Sequence, residues 1–261
     1  KIRLLYHLRP LNLEEERKNF FADKKSNPQF QYPKLKFDPY ILREDLLKIR
    51  TDDSELGQLF EEKKEEIQRK INLLELRDEE NFSNVSIELF GAPSEEEIAT
   101  CLNYLKQIDW SARNKKDEML NSQQVKAAFE KVFEKYDLKG WRVKIKDNLV
   151  ADCIAGKNNS LFINSSIMLS ESRLKSLIVH EIETHILTAE NGKLQPYEIF
   201  NRGLANYLIT QEGLAMYNVE QQKERPFWKN YKALTNVIAI HKSLQKPFHE
   251  VFHELINLNI P

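Results

Sequence analysis

His180-Glu181-Ile182-Glu183-Thr184-His185 places two imidazoles and two carboxylates within six residues, and His249-Glu250-Val251-Phe252-His253 repeats the combination near the end of the chain. Imidazole and carboxylate are the side chains that hold a catalytic zinc, and a carboxylate beside a ligating histidine is well placed to take a proton from water. Only His7 and His241 lie outside these segments, so metal chemistry rests on one pair or the other. The second segment spells H-E-x-x-H, the zinc pattern of metalloproteases, and by pattern alone it is the stronger.

Helix geometry reverses that ranking. At ~100° per residue, the apolar stripe Phe248, Val251, Phe252 and Leu255 leaves His249 and His253 roughly 110° and 150° from its centre, on the solvent side. Eight residues follow His253, none of them His or Cys, with Glu254 the sole carboxylate, so a third ligand is wanting. The expectation is a chance motif on a surface helix. Around His180, by contrast, Leu174, Leu177, Ile178, Val179, Ile182, Ile186 and Leu187 surround the helix on nearly every side. Burying the four ionisable residues there is costly unless something pairs with them; a metal with a hydrogen-bonded outer shell suffices, and a satisfied polar network is the bland alternative.

His180 and His185 are five apart, which on a regular α-helix separates them by about 140°. Hydrogen bonding from i to i+5 brings five-spaced residues back toward one face, so a π-bulge or distorted turn is predicted within residues 180 to 185. Asn191-Gly192 is expected to stop this helix through a left-handed residue, with Pro196 preventing its resumption. For a third ligand, Gln211-Glu212-Gly213-Leu214-Ala215 sets a carboxylate beside a glycine that permits close backbone approach. On composition Glu212 ranks no higher than Glu198 or Glu220.

The elements that must position these residues follow from periodicity. Helices are expected from a capping box at Asn12 and Glu15, over about 53 to 76, after the capping box Ser94/Glu97, and from Ser122. The run Glu61 to Glu66 reads as the solvated face of the long helix. After Gly140 the period falls to two: Trp141, Val143 and Ile145, then Asp152 to Ala155 and Leu161 to Ile163 about a Gly-Lys-Asn-Asn turn, read as a small β-meander. Lys and Arg total 39 against 40 Asp and Glu, which removes the bulk electrostatic argument for nucleic-acid binding. With only 7 Gly and no G-x-G-x-x-G or P-loop, dinucleotide and NTP folds are excluded. No apolar run is long enough to span a membrane. Cys101 and Cys153 are isolated thiols, which fits a reducing, cytoplasmic setting.

The segments His180-Glu181-Ile182-Glu183-Thr184-His185, Asn191-Gly192, Gln195-Pro196 and Thr210-Gln211-Glu212-Gly213-Leu214-Ala215 together resemble the microtubule-associated tyrosine carboxypeptidase family and its bacterial relatives with the QEGLA motif. Leu8-Arg9-Pro10-Leu11-Asn12 and Asn27-Pro28-Gln29-Phe30 are similar to its amino-terminal region. The resemblance implies a zinc metallopeptidase whose ligands map to His180, His185 and Glu212; in such a site a fourth position is left for water, and Glu181, adjacent to His180, is placed to take its proton. The family often has Gly where this chain has Glu183. Its domain continues beyond the position matching Pro261, and the chain lacks an initial Met, so a piece of a longer protein is expected.

The combined reading is an α+β protein, mostly helical with a small antiparallel or mixed sheet and a zincin-like core. Residues 1–120 form a helical region packed on a catalytic core at 121–261. The function expected is a Zn2+ metallocarboxypeptidase acting on the C-terminal tail of a peptide or protein, by resemblance at tyrosine or another aromatic residue. The alternatives are an endopeptidase or aminopeptidase with the same ligands, or a non-enzymatic scaffold. Substrate-binding candidates are Arg202 for the terminal carboxylate, with Arg173 behind it, and Asn164 and Tyr217; the strand Leu161 to Asn164 could add the substrate backbone as a further strand. Tyr197, Asn206, Tyr207 and Tyr217 are unranked candidates for an oxyanion donor.

Overall fold

Apolar residues repeating at 3.6 become helices over most of the chain, and the alternating segment after Gly140 becomes strands. The computed structural model describes residues 2–108, 118–147, 149, 151–156, 158–222 and 231–258. In chain order the elements are α1 (Leu4–Leu8), α2 (Leu13–Ala22), α3 (Pro39–Lys48), α4 (Glu55–Glu75), α5 (Phe82–Phe90), α6 (Glu95–Lys106), β1 (Met119–Asn121), α7 (Ser122–Lys135), β2 (Arg142–Lys146), β3 (Cys153–Gly156), β4 (Ser160–Asn164) and β5 (Met168–Ser170). They continue with α8 (Glu171–Leu177), a π-helix (Ile178–Ile186), α9 (Leu187–Lys193), α10 (Glu198–Arg202), α11 (Tyr207–Glu220), α12 (Tyr231–Ser243) and α13 (Phe248–Asn257). The fold is α+β and mostly helical. No described helix is long and apolar enough to cross a membrane.

The chain divides into two compact units, Lys1–Ile108 with Phe227–Pro261, and Asp109–Pro226. In the first, α4 buries Ile71, Leu73 and Leu74, and α12 packs on α6 and α13. The capping box at Ser94 and Glu97 forms with both reciprocal bonds. Asn12, by contrast, precedes α2 without capping it: its amide donates to the Gln29 carbonyl at 2.8 Å and its oxygen accepts from Gln31 N–H at 2.9 Å. The side chain has a better use in pinning the extended segment between Pro28 and Pro33 than in closing its own helix. The charged run on α4 is not wholly solvated either. Glu66 is only 4% exposed and is held between Lys63 at 2.5 Å and Lys70 at 2.6 Å, pairs that offset the cost of burying its charge.

The H-E-x-x-H segment lies on α13 in this unit. Its histidines do not simply face water. His249 is half-buried, with its backbone N–H and its Nδ1 both on the Asn27 side-chain oxygen, and His253 Nε2 donates to the Lys24 carbonyl at 3.0 Å. Both rings tie α13 to the loop after α2. Neither belongs to a group of metal-type ligands among the described residues.

In the second unit α7 buries Val125, Phe129 and Phe133 against β2 and β4, each such side chain worth roughly 1.5–3 kcal/mol. Leu174, Leu177, Ile182 and Ile186 close the same core from the helix that carries the two histidines. The sheet is not a meander. Its order is β2-β4-β3, with β2 parallel to β4 and β3 antiparallel to it, beside a separate antiparallel pair β1-β5. The turn signal is real but local: Asn158 and Asn159, both at positive φ, close the β3-β4 hairpin, while β2 reaches its neighbour by tertiary packing alone. Gly192 is likewise not a left-handed stop. It lies inside α9, buried, where a Cβ would meet Phe200 O at 2.8 Å and Asn201 Cα at 2.9 Å, so its role is to let α10 approach.

Candidate metal centre

The helix that begins at α8 changes register where the chemistry lies. Residues Ile178–Ile186 are π-helical, and at its end Leu187 N–H donates to the Ile182 carbonyl five residues back. The wider turn solves the spacing problem: His180 and His185 stand together, ring centroids 4.7 Å apart and nearly perpendicular at 89°. Val179, Ile182 and Ile186 stay buried. Glu183 is turned away from the pair, accepting a 2.6 Å hydrogen bond from Tyr136, the residue that ends α7, with Lys135 at 3.6 Å, so it serves to pack the helix to its neighbour.

From α11, Glu212 reaches both rings. One carboxylate oxygen lies 3.3 Å from His180 Nε2 and the other 3.4 Å from His185 Nε2, and the ligand-type atoms all fall within 4.8 Å of one another. A tetrahedral zinc with bonds of about 2.0–2.1 Å has ligand-to-ligand edges of about 3.3 Å, close to the separation of each imidazole nitrogen from its nearer Glu212 oxygen. No other such group occurs among the described residues. Gly213, next to Glu212, meets nothing: a Cβ there would have no neighbour within 4 Å, so close backbone approach is not its role.

Burial sets the protonation states. His185 is pulled below its ordinary value chiefly by burial, which keeps the ring in the neutral form that binds metals. Glu212 is held below the usual carboxylate range, first by the hydrogen bond from His180, and stays charged. Glu181 moves the other way: burial pushes it up to about 7, aided by the Glu212 charge and opposed by His180, by the Ala155 backbone N–H on β3 and by Arg173. A carboxyl that gains and loses its proton near neutrality is suited to general acid-base work. Cys153, beside it, is buried with its thiol pushed up to about 12 by burial and by Glu181 and Asp152, which makes it a poor nucleophile.

The substrate-binding candidates fall in different places. Arg202 sits on α10, well exposed, in an i to i+4 pair with Glu198. Arg173 is the arginine whose charge reaches Glu181, half-exposed and bridged to Asp152 at 3.3 Å. The Asn164 side chain is occupied by the Leu149 carbonyl and by Ser166. Tyr217 is 58% exposed and five residues past Glu212, about 140° round α11 from it. Tyr197 packs by Phe200, Tyr207 lies against Gly203, and Asn206 is the left-handed residue before α11. The strand Leu161 to Asn164 cannot take a further strand, because β4 is central and paired on both sides; the outer strand nearest Glu181 is β3. The reading of residue types did not single out Thr184 and Asn218, which hydrogen-bond between the helix of the two histidines and the helix of Glu212. The available signal was a lone hydroxyl among buried apolar residues.

A family model described as microtubule-associated tyrosine carboxypeptidase matches residues 18–260. Searches of curated proteins and of solved structures give no match. The family match takes in both units of the fold and runs unbroken through the segments that bring the two imidazoles and the α11 carboxylate together. The chain belongs to the microtubule-associated tyrosine carboxypeptidase family.

Proposed function

We propose that this chain is a zinc-dependent metallocarboxypeptidase with a zincin-like core, removing a C-terminal tyrosine or other aromatic residue from a peptide or protein. The observation that carries the reading is the convergence of His180, His185 and Glu212, with each imidazole 3.3–3.4 Å from a Glu212 oxygen and the largely buried carboxyl of Glu181 adjoining them in sequence. The family membership supports the peptidase class.

His180 Nε2, His185 Nε2 and one Glu212 oxygen would hold the metal. When bound, zinc would supply a Lewis acid for the scissile carbonyl and lower the pKa of a water toward about 7. Glu181 takes the proton from the attacking water and delivers it to the departing amine nitrogen. The low-polarity surroundings that raise Glu181 also shield the reacting groups. A terminal carboxylate needs a cation at the edge of this site. Arg173 fits better than Arg202, since its charge already reaches Glu181 and its present partner, Asp152, is half-exposed and can exchange for a substrate carboxylate. The outer edge of β3 suits an extended substrate backbone.

The test is digestion of one peptide ending in tyrosine in two forms, with a free and with an amidated C-terminus, by zinc-loaded protein. Release of tyrosine from the free form alone supports the proposal. Internal cleavage of both forms would instead favour an endopeptidase, and release from the amino end an aminopeptidase.

A further inference from the structure

Thr184 is 2% exposed and lies between Glu183 and the ligand-type His185. Its hydroxyl donates to the Val179 carbonyl at 2.9 Å and accepts from the Asn218 side-chain amide at 3.1 Å. A threonine in a regular α-helix bonds to a carbonyl three or four residues back. Here the acceptor is five back, a bond matched to the π register. Asn218 stands on α11, six residues after Glu212, so the second bond joins the helix of the two histidines to the helix of the carboxylate.

We propose that the relay Asn218 to Thr184 to Val179 is a register lock, in which Thr184 and Asn218 act as positioning residues that hold His180, His185 and Glu212 in their ligating arrangement. The inference rests on the zinc reading above. In an α-helical register the two histidines would diverge by about 140° and the triangle would open. The hydroxyl satisfies a carbonyl in the register where the rings converge, and the amide fixes the spacing to Glu212. Neither side chain touches the metal position. They act through the helix backbone and the spacing to α11 rather than by bonding a ligand, and their loss is expected to weaken metal binding on the scale of outer-shell partners, about 10- to 100-fold.

The experiment is a chelator-competition titration of zinc with the wild-type chain and with Thr184→Val, Thr184→Ser, Asn218→Ala and the Thr184→Val/Asn218→Ala double variant, alongside thermal unfolding of each zinc-free form. Valine keeps the shape and deletes the hydroxyl, whereas serine keeps the hydroxyl. Thr184→Val and Asn218→Ala are expected to weaken zinc by about 10- to 100-fold, Thr184→Ser by less than about threefold, and the double variant no more than Thr184→Val alone. Wild-type affinity in Thr184→Val, or equal losses in the valine and serine variants, would overturn the lock. If Thr184→Val does not fold, Asn218→Ala decides alone, and unchanged zinc affinity there overturns it. A wild-type chain that takes up no zinc removes the site itself and the lock with it, an outcome distinct from a zinc-binding chain indifferent to the hydroxyl.

Discussion

Glu181→Gln separates the movement of a proton from the retention of a metal, and the burial of the carboxyl sets the size of the accompanying change in stability. The Glu181 carboxyl, 4.5 in an ordinary setting, is pushed up to about 7 by burial in the zinc-free protein. A carboxyl whose folded value is raised adds no penalty below its unfolded value; the penalty grows as pH rises from the unfolded to the folded value and is constant above it. Above pH 7 the ionised carboxylate therefore costs the metal-free fold about 3 kcal/mol relative to the unfolded chain. Glutamine carries no charge, so the zinc-free variant is expected to gain up to about that amount at pH 8 and nothing near pH 4. Catalysis should respond in the opposite direction. The amide cannot accept a proton, so turnover is expected to fall ~10²- to 10⁴-fold, about 3–5 kcal/mol of barrier, while zinc stays bound. Chemical denaturation of the apo forms at the two pH values, metal analysis, and chromatography of the released residue read the three quantities. Full activity in the variant, or loss of its zinc, would refute the assignment of Glu181 as base.

The His249→Ala/His253→Ala double variant is expected to keep zinc and activity, because both rings are engaged with Asn27 and Lys24, and to lose only some stability, read by thermal unfolding. Gly192→Ala should destabilise by roughly 1–3 kcal/mol, since its Cβ would press on backbone atoms of Phe200 and Asn201. Gly213→Ala should instead gain up to about 1 kcal/mol at a helical position with open space around it, and the same denaturation experiment compares the two. Arg173→Ala is expected to raise KM for a free-carboxylate peptide about tenfold or more while Arg202→Ala changes it little, a contrast that steady-state kinetics on the two variants reads directly.

Much of the site was legible because it breaks a rule. Polar residues in a helix that is apolar on nearly every side demand a reason, and the five-residue spacing of His180 and His185 demanded a register that the π-helix supplies. Glu212 was not legible from composition, since it projects from a well-exposed helix and no local pattern sets it apart from Glu198 or Glu220; only the motif resemblance pointed to it. The relay through Thr184 and Asn218 was hidden for a related reason, being a contact between residues 34 apart. Helices α4, α6 and α7 were readable from period and caps, and strands β2, β3 and β4 from the apolar segments after Gly140, whereas the β1-β5 pair was not. The pairing of those three strands was not either, because the turn residues specify the β3-β4 hairpin and say nothing of the parallel partner. Asn12 and Glu66 show the same limit at single residues. A good helix cap was claimed by a backbone segment 17 to 19 residues away, and a charge in a solvated-looking run was drawn inward between two lysines.

The central claim is that one zinc ion is held by His180, His185 and Glu212. Metal analysis of the purified wild-type chain and of His180→Ala, His185→Ala and Glu212→Ala, each dialysed against a weak chelator, tests it most directly. The wild-type chain is expected to hold close to one zinc and each variant to lose it severely, since removing one of three protein ligands opens the ion to water. A wild-type chain that retains no zinc, or a His185→Ala variant that retains it fully, would contradict it.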